Sequence, residues 1–330
     1  VDVVDRLEAI GPVAWGELHR GAGVRSPFLS YTWQREWVAA FAPGQPLALH
    51  AVRDDAGTLI AVLPLVEVQP ALFQTIGGVD VSDYLDLLAV AGSEGGAWSA
   101  LLAVQPGDAT WELHSVPAAS PTMSLLSLLS GATGVEVTIA VEERCPVLDL
   151  PASWADYLAS LSSKHRHELT RKMRRLAREL PDAHVSHVVG ADAVAARFDE
   201  FLGLHRRSRA GKARFMDTRM ERFFRSAITA LAGDGAARLW FLDTPAGPIA
   251  SFVTIEWDGI VGLYNSGFDP ERASLAPGLV LLGHLLQDAI ATGKRRFDFL
   301  RGEERYKYEF GPVPEDVCSV TLRRAEGGPA

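Results

Sequence analysis

The chain has 330 residues, 48% of them apolar, and a formal net charge of −9. That length suits two domains of about 150 residues, each with a full core, and no run of eighteen apolar residues offers a membrane span. Two cysteines, Cys145 and Cys318, exclude a disulfide framework and suit a reducing cytoplasm, and the scattered histidines form no metal-ligand spacing. The opening residues, VDVVDRLEAIG, are acidic and lack the basic start of a signal peptide.

In chain order, residues 30–41 read as a helix, followed by strands at 47–53 and 59–68. Asp54-Asp55-Ala56-Gly57 joins those strands as a hairpin turn. A strand at 84–90, a helix from Gly95, a strand at 110–116, a short helix at 121–129 and a strand at 135–141 complete the first half. Ser153-Trp154-Ala155-Asp156 is a capping box, and residues 153–180 keep an apolar stripe broken near Ser162-Ser163. Helices at 192–209 and 218–231 precede a second hairpin, 238–243 and 249–257 around Thr244-Pro245-Ala246-Gly247. The Ala-Gly, Ile-Ala pairing of the first hairpin (Ala56-Gly57, Ile60-Ala61) returns in the second (Ala246-Gly247, Ile249-Ala250), so the halves read as a diverged repeat.

The stretch 259–311 carries the strongest signal. Residues 260–266 read as a strand, and a helix opening at Pro277-Gly278 has apolar residues at 279, 282, 285, 286 and 290 before Gly293 stops it. Phe297-Asp298-Phe299-Leu300 reads as a strand, a short helix carries Tyr306 and Lys307, and residues 316–323 close as a strand. A helix N-terminus in a loop after a strand presents free backbone N–H groups and positive dipole charge, a place for a phosphate or carboxylate. Charge is uneven too: residues 164–178 hold seven Lys/Arg against one Glu, and Arg206, Arg207, Arg209, Lys212 and Arg214 form a second basic cluster. A phosphate-bearing donor suits such local fields, and a solvated helix face explains the first cluster equally well.

Tyr264-Asn265-Ser266-Gly267, Ser274-Leu275-Ala276-Pro277-Gly278, Phe297 to Glu303, Tyr306-Lys307 and Phe310-Gly311 resemble the C-terminal core of the GNAT-like acyltransferase superfamily. The branch is the one that includes CelD-like proteins and Fem-type aminoacyl transferases. Only Gly278 stands where ordinary GNAT enzymes carry an Arg/Gln-x-x-Gly-x-Gly/Ala loop for the CoA pyrophosphate. The resemblance implies an α/β fold with mixed sheets, as tandem GNAT-like domains at 1–150 and 183–330 joined by a helical connector at 151–182. It implies direct acyl transfer without a covalent intermediate, from acyl-CoA (acetyl-CoA) to a primary amine of a small-molecule or cell-envelope precursor held between the domains. A Fem-type transferase using aminoacyl-tRNA, with tRNA as partner, and a non-catalytic binding module on the same fold are the alternatives.

Transfer to an amine needs a base, donors for the carbonyl oxygen and a proton for the leaving group. Glu303, Tyr306 and Lys307 share one turn and are the catalytic candidates; the resemblance to Fem-type enzymes singles out Lys307. Asn265, Ser274, Pro277, Gly278, Leu279 and Arg301 are the candidates for donor binding. Asp83, Tyr84, Asp86 and Tyr264 are the candidates for binding the acceptor, the Asp83-Tyr84-Leu85-Asp86 run resembling a motif of CelD-like proteins. The glycine loop 92–96 is a further candidate phosphate cradle.

Overall fold

In the computed structural model, residues 1–324 are described, apart from the side chains of residues 131–133. The chain divides into two compact units, Val1–Arg144 with Glu315–Ala330, and Cys145–Pro314. Both are mixed α/β units.

Unit 1 contains β1 (Asp2–Val4), α1 (Pro12–Gly21), α2 (Tyr31–Phe41), β2 (Leu47–Arg53), β3 (Leu59–Gln69), β4 (Leu72–Thr75) and β5 (Leu88–Ala89). It continues through α3 (Glu94–Val104), β6 (Thr110–Pro117), α4 (Pro121–Thr133) and most of β7 (Val135–Asp149). Its strand order is β1-β2-β3-β4-β6, followed by the chain's final strand and β7. β4 and β6 run parallel with α3 as the crossover between them. Trp98 of α3 and Trp111 of β6 are wholly buried in its core.

The strand expected over 84–90 shrinks to Leu88–Ala89, paired with β3. Residues ahead of it are held by other partners: the Tyr84 carbonyl accepts from Ser26 Oγ at 2.8 Å and the Leu85 N–H donates to the Ser115 carbonyl at 3.1 Å. Asp86 caps its own neighbour, accepting from the Leu87 N–H at 2.7 Å. Backbone groups bonded this way leave no ladder to join.

Unit 2 takes residues 145–149 of β7, then α5 (Trp154–Ser160), α6 (Ser163–Glu179), β8 (His184–Val189), α7 (Ala191–Ser208), α8 (Ala210–Phe215) and α9 (Thr218–Gly233). β9 (Ala237–Thr244), β10 (Gly247–Trp257), β11 (Ile260–Phe268), α10 (Pro277–Ala291), β12 (Arg296–Asp298) and α11 (Arg305–Tyr308) follow. The strand order within the unit is β7-β12-β11-β10-β9-β8. Ser153 caps α5 as the capping box requires, its Oγ accepting from the Asp156 N–H at 3.1 Å.

The stretch read as a connector is two helices, α5 and α6, parted at Leu161-Ser162, and both lie inside unit 2. Leu169 and Leu176 of α6 bury against α10, and Leu169 Cδ1 would sit 3.2 Å from a Cβ at Gly283, so the helices approach closely there. That second partner explains why α10 buries Val280, Leu281, Leu282, Leu285 and Leu286 rather than the single stripe its spacing suggests. The last strand, β13 (Val313–Arg324), leaves unit 2 at Pro314 and pairs with β6 in unit 1, with Val317 opposite Pro117 and Leu322 opposite Trp111. Unit 1 therefore takes residues 1–144 and 315–330 and unit 2 residues 145–314, where the sequence suggested 1–150, 151–182 and 183–330.

Candidate functional site

β11 and β12 are parallel neighbours for only three steps, Ile260 with Arg296, Val261 with Phe297 and Gly262 with Asp298. β12 then stops. The Asp298 carboxylate accepts from the Leu300 N–H at 2.7 Å, and Leu300 and Gly302 turn at positive φ of 54° and 106°. β11 runs on to Phe268 along β10 alone. Its register shifts where Val253 faces Asn265 but Thr254 faces Leu263, making Tyr264 the extra residue of a bulge. A bulge bends its strand and re-aims its backbone. The two strands thus part beside the bulge, and Tyr264 stacks on Phe224 with ring centroids 5.4 Å apart.

A cavity of about 270 Å³ opens at the end of β11. Phe252, Phe268, Pro277 and Leu279 give it apolar walls, while Arg209, Lys212, Ser266, Glu304 and Tyr306 give it polar ones. α10 points its N-terminus at this space. Its cap residue, Ala276, sits in the left-handed region at φ 51° and offers no capping side chain, and Pro277 has no N–H. The N–H groups of Gly278 and Leu279, in the first turn, have no acceptor within the helix. A Cβ at Gly278 would meet Phe252 and Phe268 only at 4.0 Å, so this glycine borders open space.

The loop before α10 is a 3-10 helix, Pro270–Leu275, and it uses its own N–H groups. Glu271 N–H donates to Asp269 Oδ1 at 3.0 Å, Arg272 N–H to the Asp269 carbonyl at 3.1 Å and Ala276 N–H to the Ala273 carbonyl at 3.0 Å. Ser274 lies exposed on that 3-10 helix and does not line the cavity.

Lys212, on α8, is the cation the chain folds into this cavity. Its ammonium donates to the Ser266 carbonyl, and to Ser266 Oγ at 3.0 Å. Burial, reinforced by the charge of Arg209, lowers its pKa to about 8, with Glu304 opposing the shift. His205 Nδ1 lies 3.1 Å from the same Ser266 carbonyl, which accepts only, so the ring nitrogen there carries the hydrogen. Burial and the nearby Lys212 charge hold His205 down to about 4, a neutral ring at pH 7. Asn265 turns its amide back on the chain, accepting from the Ser266 N–H at 2.8 Å.

The short helix α11 sorts the remaining candidates. Tyr306 and Glu304 line the cavity. Burial first, then the Glu304 charge, pushes the Tyr306 hydroxyl well above its ordinary range, so it stays protonated. Glu304 is held below the usual carboxylate value by Lys307 despite its own partial burial. Lys307 is 4% exposed, and its ammonium donates to the Arg301 carbonyl at 2.8 Å and the Gly302 carbonyl at 3.0 Å while pairing with Glu304 at 3.0 Å. Those contacts pin the turn after β12 and use all three of its hydrogens. Glu303 is exposed and accepts from Tyr308 at 3.1 Å, and neither it nor Arg301 lines the cavity.

Asp83, Tyr84 and Asp86 fall in unit 1. Asp86 is 1% exposed and accepts from Ser120 Oγ, from Thr122 Oγ1 at 2.6 Å and from the Leu87 N–H; burial raises its pKa to about 6. With these partners it ties α4 to the loop before β5. Asp83 is buried as well. In the glycine loop 92–96, the Gly92 N–H is already given to Glu94 Oε2 at 2.7 Å.

Of the cavity's polar rim the sequence singled out Tyr306, but not Lys212, Ser266 or Glu304 as site residues. Lys212 was visible only as one of five cations in a basic cluster, because nothing local to residue 212 shows that it folds onto Ser266, 54 positions away. Glu304 stands one position from the expected Glu303. Among the described residues, no helix is long and apolar enough to cross a membrane, and no group of three or more His, Cys, Asp or Glu is placed to hold a metal ion.

Residues 163–308, from the start of α6 to the end of α11, match the family described as "Acetyltransferase (GNAT) domain". No curated protein matches the chain. Among solved structures, FemX is similar over 94% of this chain and 95% of its own, at 12% identity and a TM-score of 0.65. A conserved protein of unknown function from Bacteroides thetaiotaomicron VPI-5482 is similar over 98% and 99%, at 12% identity and 0.63. L-PGS from Bacillus licheniformis is similar over 96% and 93%, at 10% identity and 0.60. At such identities these likenesses speak to fold, and the fold is GNAT-like.

Proposed function

We propose that the chain, carrying a GNAT acetyltransferase domain at residues 163–308, transfers an acyl group from acyl-CoA directly to a primary amine, with the reaction in the unit 2 cavity. The observation that carries this reading is the parting of β11 from β12 beside the Tyr264 bulge, with a cavity at the strand end and the uncapped N-terminus of α10 facing it. Ligands of open α/β sheets collect at such carboxyl ends. The GNAT resemblance supports seating the donor there.

In this reading the acyl group rests against Phe252, Phe268 and Leu279, and the Gly278 and Leu279 N–H groups face the donor's phosphate. Lys212, cationic below about pH 8, balances the negative charge that develops as the amine attacks the carbonyl. The attacking amine arrives as an ammonium and gives a proton to Glu304, which passes it to solvent. Tyr306, kept protonated by burial, donates to the departing sulfur and takes back the second proton of the attacking nitrogen, so the amide and the free thiol leave with Tyr306 restored. Lys307 positions α11 in place of the direct role expected for it, and Glu303 holds Tyr308. The two units, each with helices, antiparallel strands and a parallel crossover, support a tandem arrangement in which unit 1 is the diverged copy. A small amine or envelope precursor in a cytoplasmic setting remains the acceptor class of this reading.

A specific observation favours a second donor, the aminoacyl ester of a tRNA. The N–H groups of Glu271, Arg272 and Ala276 are spent inside the 3-10 helix and Pro277 has none, which leaves only those of Gly278 and Leu279 to meet a pyrophosphate. The resemblance to Fem-type aminoacyl transferases points the same way.

Thermal denaturation with acetyl-CoA, longer acyl-CoAs and charged tRNA separates the two. A ligand at a hundred times its dissociation constant adds about 2.7 kcal/mol of apparent stability. Stabilisation by an acyl-CoA, with thiol release when amines are added, supports the first reading. Stabilisation by charged tRNA alone supports the second, and a flat response to every donor rejects transfer altogether.

A further inference from the structure

On the other side of α11 lies a second cavity, of about 350 Å³, lined by Lys164, His165, Glu168 and Lys172 of α6 together with Arg305, Tyr308 and Glu309. Its charges are unequally committed. Glu168 is bonded to Arg171 at 2.8 Å, which lowers its pKa, and Glu309 pairs with Lys172 at 3.7 Å. Lys164 and Arg305 are exposed and have no ion-pair or side-chain hydrogen-bond partner among the described residues. Residues 164, 168 and 172 are four apart and share one face of α6, so the cavity is floored by one helix and walled by α11. α11 is a single turn: Tyr306 faces the first cavity, Arg305 and Tyr308 this one. A helix is about 10 Å across, so a donor seated at the first cavity has its more distant phosphates within reach of the second.

We propose that this basin is a phosphate subsite for the distal part of the donor, with Lys164 and Arg305 as its free cations and the Tyr308 hydroxyl and His165 ring at its wall. The proposal rests on the transfer reading above and extends it to donor recognition. The ligand chemistry is a phosphate mono- or diester carried on a nucleotide. Two sources supply it, the 3′-phosphorylated nucleotide end of an acyl-CoA and the backbone at the acceptor end of an RNA. A cavity of this size holds a phosphate with part of its sugar, and the uncommitted charge lies on the side chains best suited to meet it.

Two probes test it on the intact chain: adenosine 3′,5′-bisphosphate by calorimetry and a short CCA-ended RNA hairpin by fluorescence anisotropy. Lys164→Glu and Arg305→Glu should each weaken the bound probe by about tenfold or more. For the hairpin, the salt slope should flatten by roughly 0.7–0.9 per lost phosphate contact. Arg174→Glu, the same charge change on a part of α6 turned about 200° from Lys172, is the control and should stay within about twofold. Melting temperatures of the three variants confirm that each is folded. Loss of the bisphosphate identifies the nucleotide end of CoA; loss of the hairpin alone identifies RNA. Failure of the wild-type chain to bind either probe overturns the proposal, and so does an Arg174→Glu effect equal to that of Lys164→Glu, which would mean a diffuse field. An enzyme that transfers acyl groups yet fails these tests loses only the subsite; selective probe loss without turnover on any donor would sink the transfer reading alone.

Discussion

Lys212 illustrates how a site residue works against stability. Its ammonium is buried at the Ser266 carbonyl with other cations near, and its pKa falls from 10.5 to about 8. A lysine whose folded pKa lies below its unfolded one binds fewer protons when folded. The cost is therefore complete below about pH 8 and disappears as pH rises towards 10.5. Lys212→Met should raise the ligand-free melting temperature at pH 7, by roughly 1–3 kcal/mol in unfolding free energy, and flatten the rise of stability between pH 8 and 10.5. The same variant should lower turnover by about 10²–10³-fold under the mechanism proposed here. A variant that is less stable at pH 7 would show that the Ser266 contacts outweigh desolvation. Lys307 predicts the reverse. Lys307→Met strips an ion pair and two carbonyl contacts from a buried turn, so chemical denaturation should show a loss of about 2–4 kcal/mol. What separates these two lysines is the ion pair that Lys307 makes with Glu304 at 3.0 Å, and a one-dimensional sequence does not show it. Tyr306 beside Lys307 was readable as a unit, yet which of the two faces the cavity depends on the turn that Leu300 and Gly302 impose.

Two glycines near the end of β11 and the start of α10 separate packing from binding at the level of elements. A Cβ at Gly267 would lie 2.4 Å from the backbone nitrogen of His205, so α7 can approach β11 only because this position is bare. Gly267→Ala must push helix and strand apart, and urea unfolding should show a loss of about 1–3 kcal/mol. Gly278 has no such neighbour. Gly278→Val should leave the unfolding midpoint within about 1 kcal/mol while weakening donor binding sharply, because the branched side chain fills the space in front of the first helical turn. Unchanged donor affinity in that variant would remove α10 from the binding site. The strand–helix–strand run from β11 to β12 was legible because its helix has its own local signals, Pro277-Gly278 at the start and Gly293 at the end, between the strand-like runs 260–266 and 297–300. β8 was not anticipated, for its alternating His184–Val189 gains meaning only from pairing with β9. The segment 84–90 failed in the other direction. Its strand-like composition is real, but Ser26, Ser115 and Asp86 supply hydrogen bonds that no periodicity announces.

At the scale of the whole molecule, the last strand explains why unit boundaries resist sequence reading. Residues 316–323 were readable as a strand; which strands it pairs with was not, because both units offer candidates of the same kind. β13 begins in unit 2 and pairs with β6, Val320 opposite Leu113 and Leu322 opposite Trp111, and Val320 and Leu322 are wholly buried in the unit 1 core. Gln105 Nε2 donates to the Leu322 carbonyl at 3.0 Å, and Arg324 donates to the Gln105 carbonyl at 3.0 Å. Removing residues 315–330 should therefore injure the unit remote in sequence from the cut. In hydrogen exchange, amides of β6 and α3 should lose protection, whereas those of β10, β11 and α10 in unit 2 should keep theirs, since that unit ends at Pro314. The substitution Val320→Asp isolates the same effect without shortening the chain. It buries an unpaired carboxylate between β6 and the unit 1 core, and should remove about 3 kcal/mol or more from unit 1. Equal loss of protection in both units would mean that they unfold as one cooperative body. Loss confined to unit 2 would contradict the assignment of β13 to unit 1.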